Sequence, residues 1–202
     1  MRRSLSPHRG SSEATRDSLL DHALTLFSER GYAATGVRDI IHAAGVTQPT
    51  LYYHFSDKTG LFQALIERYY GESQSQLEQI IDSVSGCEPR LRTLILCTFE
   101  FCRADPRVPR LMFQTHYGPR IPEIDGILDG LTTRRFRLVT RVMQEGIDHR
   151  ELRPADPKFL ALSFCCLMDQ PINVFSRRTQ PSRYLTRELA DALVTLFLSG
   201  VQ

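Results

Sequence analysis

The sequence has no run approaching the roughly eighteen consecutive apolar residues that a membrane-crossing helix requires. The N-terminal stretch Met1 to Ser12 is polar and basic and lacks the apolar segment of a secretory signal. A soluble cytoplasmic protein with no membrane partner is the expectation. Metal-ligand spacing is also missing. Cys87, Cys97, Cys102, Cys165 and Cys166 contain no C-x-x-C pair and no matching histidine spacing, and five is an odd number. They read as reduced, mostly buried thiols, with a redox or metal sensor as the alternative. No G-x-S-x-G, phosphate loop, dinucleotide fingerprint or H-E-x-x-H occurs, so no enzyme class and no cofactor is indicated. No credible period-2 strand and no solenoid repeat is visible.

What is present is an ordinary globular composition, with 42% hydrophobic and 24% charged residues over 202 residues. This is enough for one domain or two small ones. The net charge of +2 neither requires nor forbids a polyanionic partner, so a nucleic-acid assignment has to come from local motifs.

The basic, Ser/Pro/Gly-containing residues 1–13 read as a flexible tail. Leu19, Leu20, Ala23, Leu24, Leu26 and Phe27 then recur at three- and four-residue spacing, as one buried helical face requires. Thr15 is placed to cap that helix and Gly31 to end it. Val37, Ile40, Ile41 and Ala44 give a second, short helix an apolar face, and Gly45 supplies a turn. Thr47 is a candidate N-cap for a third helix, with Gln48 and Pro49 in its first turn. Two short helices joined by a glycine-containing turn are the helix-turn-helix signature.

In the third helix, Leu51 and Phe55 lie four apart and face the core, leaving Gln48, Pro49, Thr50, Tyr52 and Tyr53 on the other side. Glutamine pairs bidentately with adenine, and threonine and proline meet a thymine methyl. The tyrosine hydroxyls, His54 and Lys58 suit phosphate oxygens, and Arg38 suits a phosphate or a guanine. The plainer readings are a core aromatic for Tyr52, a packing or capping residue for His54, and a solvated helix start for Lys58. Beyond Lys58, helical rhythm continues to about residue 84. It resumes over about Leu91 to Arg103, Val108 to His116, Ile124 to His149, Pro157 to Ser176 and Ser182 to Leu198, broken at proline-containing junctions.

The run GVTQPTLYYHFSDKTGLF, preceded by ALTLFSERGYAATGVRDIIHAAG, resembles the DNA-binding domain of the tetracycline-repressor (TetR) family of bacterial regulators. The resemblance spans roughly Thr15 to Leu65. It implies base contact for Gln48, Pro49, Thr50 and Tyr52, and base or phosphate contact for Arg38, Thr47, Tyr53, His54 and Lys58. The chain departs from the family pattern at Thr35-Gly36-Val37, where a threonine commonly stands just before the arginine of the second helix. A second departure is Ile40-Ile41-His42, where the family usually reads isoleucine-alanine.

The implied architecture is all-α with about nine helices. Residues 1–13 are the tail, 14–62 the helix-turn-helix domain, and 63–202 a ligand-binding and dimerisation domain. Phe99, Phe101, Met112, Phe113, His116, Tyr117, Met143, Phe164 and Met168 are candidate pocket residues, because adaptable apolar side chains with a few polar tips suit a small molecule. The final LADALVTLFLSGV resembles the last helix of many members. Leu185, Leu189, Leu193, Leu196 and Phe197, with Phe159, Leu162 and Cys166 on the preceding helix, are the expected homodimer interface. The alternative is that both helices only close a monomer core.

The expected activity is regulation of transcription through a palindromic double-stranded operator, most simply repression relieved by a largely apolar effector. The alternatives are an architectural DNA-binding dimer without effector, and an enzyme on a helical scaffold.

Overall fold

The computed structural model describes residues 7–176 and 184–201, apart from the side chains of residues 7–11 and Glu72. The described residues are helical, without strands. Helix α1 spans Pro7–Arg30, α2 Val37–Ala44, α3 Gln48–His54, α4 Lys58–Ile66 and α5 Glu72–Ser83. They are followed by α6 (Cys87–Ala104), α7 (Arg107–Tyr117), α8 (Asp125–Asp148), α9 (Pro157–Ser176) and α10 (Arg187–Val201). A π-helical turn at Glu67–Gly71 joins α4 to α5 without a break, so ten α segments make nine continuous rods among the described residues.

Helix α1 starts at Pro7, well before the cap expected at Thr15, so at least residues 7–13 are helix and not tail. Proline loses no hydrogen bond in the first helical turn, and an established helix gains one bond for each residue added at its end. Residues 1–6 of the expected tail lie outside the described residues, as do Gln180, Pro181 and Ser182 at the expected break before the last helix. At the other end of α1 the chain stops as expected. Gly31 takes a left-handed φ of 83° and its N–H bonds to the Phe27 carbonyl at 2.9 Å.

Two hydrophobic clusters organise the chain. The first joins α1 to α4 and is centred on Phe27, Tyr32 and Phe62, whose ring centroids lie 5.2 to 5.7 Å apart. Leu51 and Phe55 attach α3 to it. Val108, Leu111, Ile124 and Leu128, from α7 and the start of α8, complete the same cluster. The second cluster holds α5, α6, α8, α9 and α10 together around Leu94, Phe99, Met143, Phe164 and Val194. Phe101 packs against both.

Helix α9 is long and apolar enough to meet the length and composition of a membrane crossing. Here its Leu160, Ala161, Phe164, Cys165, Met168 and Ile172 side chains are buried in the second cluster, and Asp169 is paired with Arg135 of α8.

Candidate functional site

Helix α2 ends in a Schellman motif. Gly45, at φ 65°, donates to the His42 carbonyl at 3.2 Å, and Val46 donates to Ile41 at 3.1 Å. Three residues later α3 begins, with Thr47 extended at its N-cap and Pro49 in the first turn. The Thr47 side chain makes no bond to the helix backbone, and its Oγ1 lies 2.8 Å from Thr50 Oγ1 instead. The α2 start is capped differently from the family pattern: Asp39 Oδ2 accepts the Gly36 N–H at 2.8 Å. Thr35 is fully buried, and its hydroxyl is placed to donate to the carbonyls of Leu26 at 3.3 Å and Gly31 at 2.9 Å. It braces the α1–α2 turn and presents nothing to solvent.

Leu51 is the buried residue of α3, and Phe55 follows it inward at the C-cap. Gln48, Pro49, Tyr52 and Tyr53 are exposed, Tyr53 to 78%. Thr50 and His54 are half-buried at the edges. The His54 ring meets Tyr53 edge-on at 5.0 Å. Helix α3 carries no acidic residue, and the neighbouring Asp57 is engaged as the α4 N-cap, accepting the Gly60 N–H at 2.7 Å. Arg38 is exposed on α2. Lys58 is half-buried, with its ammonium 4.0 Å from the centre of the Tyr32 ring, and burial lowers its pKa against the opposing pull of Glu123. Arg16 of α1, its guanidinium 5.5 Å from the centre of the Phe55 ring, is a further cation beside α3 that sequence reasoning passed over.

A cavity of about 470 Å³ lies among α5, α6, α7, α8 and α9. Of the expected pocket residues, Phe101, Met112, Phe113, His116 and Tyr117 line it. Phe99, Met143, Phe164 and Met168 do not, and are buried in the second cluster instead. Helical geometry explains the division on α6: Phe99 and Phe101 are two residues apart and so point roughly 200° apart. Sequence reasoning missed Tyr70, Gln74, Cys97, Cys102, Leu131 and Arg135 in the wall. Asp169 of α9 also lines the cavity and accepts two bonds from Arg135, at 2.7 and 2.5 Å. Burial opposes the Arg135 charge, but the Asp169 carboxylate outweighs it and keeps the guanidinium pKa raised.

Helix α7 has two faces. Phe113, His116 and Tyr117 turn to the cavity, Val108 and Leu111 turn to the cluster that holds α3, and Met112 touches both. Arg107 ties its start to α1, donating to Thr25 Oγ1 and Asp21 Oδ1, each at 2.7 Å, and to Asp105. The π turn brings Tyr70 to the junction, where its hydroxyl donates to the Val108 carbonyl at 2.9 Å.

All five cysteines are free thiols. Burial pushes Cys87 and Cys102 up to about 12 and Cys165 to about 11, which keeps them protonated at neutral pH. Among the described residues no three His, Cys, Asp or Glu side chains gather as a metal site would.

The α9–α10 face is mixed. Phe159, Leu162 and Leu196 are 64%, 54% and 63% exposed, and Cys166 is exposed beside them. Leu189 and Leu193 are half-buried, whereas Leu185 and Phe197 are buried in the chain's own core. The α10 stripe is broad because it serves two sides, and Ala190, Val194, Phe197 and Leu198 form the inward one.

The model of the bacterial regulatory proteins of the tetR family matches residues 19–65, which cover the second half of α1, all of α2 and α3, and most of α4. The transcriptional repressor ComR of Escherichia coli (strain K12) is 48% identical over 143 residues, 70% of this chain and 68% of that one. The transcriptional activator FasR of Mycolicibacterium smegmatis is 30% identical over 151 residues, 73% of this chain and 68% of that one. The chain belongs to the TetR family. Its overall fold also matches that of the regulator FadR from Bacillus subtilis, solved with stearoyl-CoA, at TM-score 0.76 and 18% identity over 92% of this chain and 98% of that one. This TetR-family chain is therefore a helix-turn-helix regulator of transcription.

Proposed function

We propose that the protein is a homodimeric repressor that binds a palindromic operator through α3 and leaves it when a small molecule fills the cavity. In this reading Gln48, Pro49, Thr50 and Tyr52 meet base edges. Thr47, Tyr53, His54, Arg38 and Lys58 hold the backbone, Lys58 moving off the Tyr32 ring to do so. The exposed Phe159, Leu162, Cys166 and Leu196, with the rims of Leu189 and Leu193, form the contact between protomers.

The observation that carries the proposal is the double role of α7. Its one face walls the cavity and its other completes the core on which α3 rests. A ligand that presses Met112 and Phe113 therefore acts on Leu111 and Val108 through a single rigid rod. The two recognition helices have to match half-sites about 34–36 Å apart, so a small tilt of each is enough to break register. To move a DNA-competent population from 99:1 to 1:99, the ligand must favour the released state by about 5.5 kcal/mol.

The test is fluorescence anisotropy on DNA flanking the protein's own gene, combined with a thermal-shift screen of small molecules. A compound that raises the melting temperature is expected to release the operator. Stabilising compounds that leave operator affinity unchanged would favour an architectural DNA-binding dimer instead.

A further inference from the structure

The cavity wall is mostly apolar, with Leu77, Phe101, Met112, Phe113, Leu131 and Ile172 among its side chains. Its polar groups are unevenly disposed. Three of its five hydroxyls are turned into the protein: Tyr70 to the Val108 carbonyl at 2.9 Å, Ser73 to Tyr69 at 3.1 Å, and Thr98 to Leu94 at 2.7 Å. Gln74 is the opposite case. Its Oε1 is buried in the wall and accepts no hydrogen bond, and among the described residues it is the one buried side-chain nitrogen or oxygen without a partner. A buried acceptor left bare costs free energy that an incoming O–H or N–H recovers.

The charges point the same way. The wall contains one arginine against two carboxylates. Both terminal nitrogens of Arg135 donate to Asp169, so an entering anion would meet a guanidinium whose charge a half-buried carboxylate already balances. Glu100, two-thirds exposed, adds a second negative charge to the lining.

We infer that the cavity takes a neutral, largely apolar molecule bearing a hydrogen-bond donor, a phenol or an alcohol in class, toward which the Gln74 side chain turns its Oε1 to accept the bond, and that it discriminates against carboxylates. This rests on the reading of the cavity as the effector site and specifies its chemistry.

The experiment uses the full chain and two matched series, each on a single apolar frame. One comprises biphenyl-4-ol, 4-methoxybiphenyl and biphenyl-4-carboxylate; the other decan-1-ol, decyl methyl ether and decanoate. Affinities are read by calorimetry or by competition. In each series the hydroxyl compound is expected to bind about tenfold tighter than its ether, the range of one well-made hydrogen bond, and tighter still than its carboxylate. Gln74→Leu should bring the hydroxyl and ether affinities together. Asp169→Asn should free Arg135 and raise carboxylate affinity about tenfold. If that variant does not fold, the wild-type ranking and Gln74→Leu still decide. Carboxylates or ethers that match the hydroxyl compounds on the wild-type protein would overturn the inference and leave the cavity as a binding site. A hydroxyl preference that survives Gln74→Leu would overturn it too. Failure of all six probes to bind would overturn both the inference and the effector-site reading beneath it.

Discussion

Leu51→Ala is the sharpest test of how α3 is held. The helix has seven residues, too few to be stable alone in water, so its position depends on what it buries. Leu51 is fully buried, and Phe55 joins it only at the C-cap. Leucine-to-alanine changes at such sites cost about 2.7–5.0 kcal/mol, the spread reflecting how far the neighbours collapse into the space. Here Phe27 and Phe62 are locked edge-on with centroids 5.7 Å apart, and Ile40 is fully buried, so little collapse is available. A cost of about 3 kcal/mol corresponds to a fall in melting temperature of roughly 6–12 °C for a chain of this size. Operator affinity should fall by more than that stability loss alone explains, because a loosened α3 no longer presents Gln48 and Tyr53 in one orientation. Leu51→Met keeps the volume and should cost under about 1.5 kcal/mol. Thermal unfolding by circular dichroism at fixed protomer concentration, with anisotropy on the operator, measures both effects. A Leu51→Ala protein that melts within about 2 °C of wild type and binds the operator normally would refute the packing argument.

Lys58→Ala should lower stability by about 0.5–1 kcal/mol through loss of its contact with the Tyr32 ring. It should also reduce the salt slope of binding to operator and to scrambled DNA alike, by about one unit for each half-site, if the ammonium reaches a phosphate. Phe159→Glu and Leu196→Glu should leave the fold intact, since both side chains are exposed, while shifting sedimentation towards monomer and weakening operator binding together. Phe197→Glu should instead unfold the chain, because that ring is buried against Phe164 at 5.2 Å. Arg107→Met should lower stability by about 1 kcal/mol, the bonds being partly solvated. It should leave ligand affinity in the absence of DNA near wild type and reduce the change in operator affinity that the ligand causes, as titrations with and without DNA would show.

The helix-turn-helix was legible because its signals are local. Gly45 after an apolar turn, Pro49 in a first turn, and Leu51 with Phe55 four apart each state a backbone or packing requirement that tertiary context did not change. The start of α1 was not legible, since Gly10, Ser11 and Ser12 are poor helix formers and nothing in their pattern reveals an extension from a helix already formed. The pocket was legible only in part. Periodicity places Phe99 and Phe101 on opposite sides of α6 without saying which side is hollow, and Met143, Phe164 and Met168 look the same in a core as in a cavity wall. Gln74 and Arg135 went unnoticed because their importance lies in their surroundings, the lack of a donor in one case and the presence of Asp169 in the other. Phe197 was assigned to the dimer face for a similar reason, because a stripe that serves two sides of a helix reads as one broad stripe.

The central claim is that the exposed edge of α3 reads bases while its flanks hold the backbone, and one set of binding isotherms tests it most directly. Wild type and Gln48→Ala are compared on the operator and on scrambled DNA at several salt concentrations, with folding and dimerisation checked for both. Loss of a bidentate base contact should cost Gln48→Ala about 1–3 kcal/mol on the operator, leave scrambled DNA and the salt slope unchanged, and relax preference at one base pair in each half-site. A folded, dimeric Gln48→Ala protein with undiminished operator preference would contradict the account.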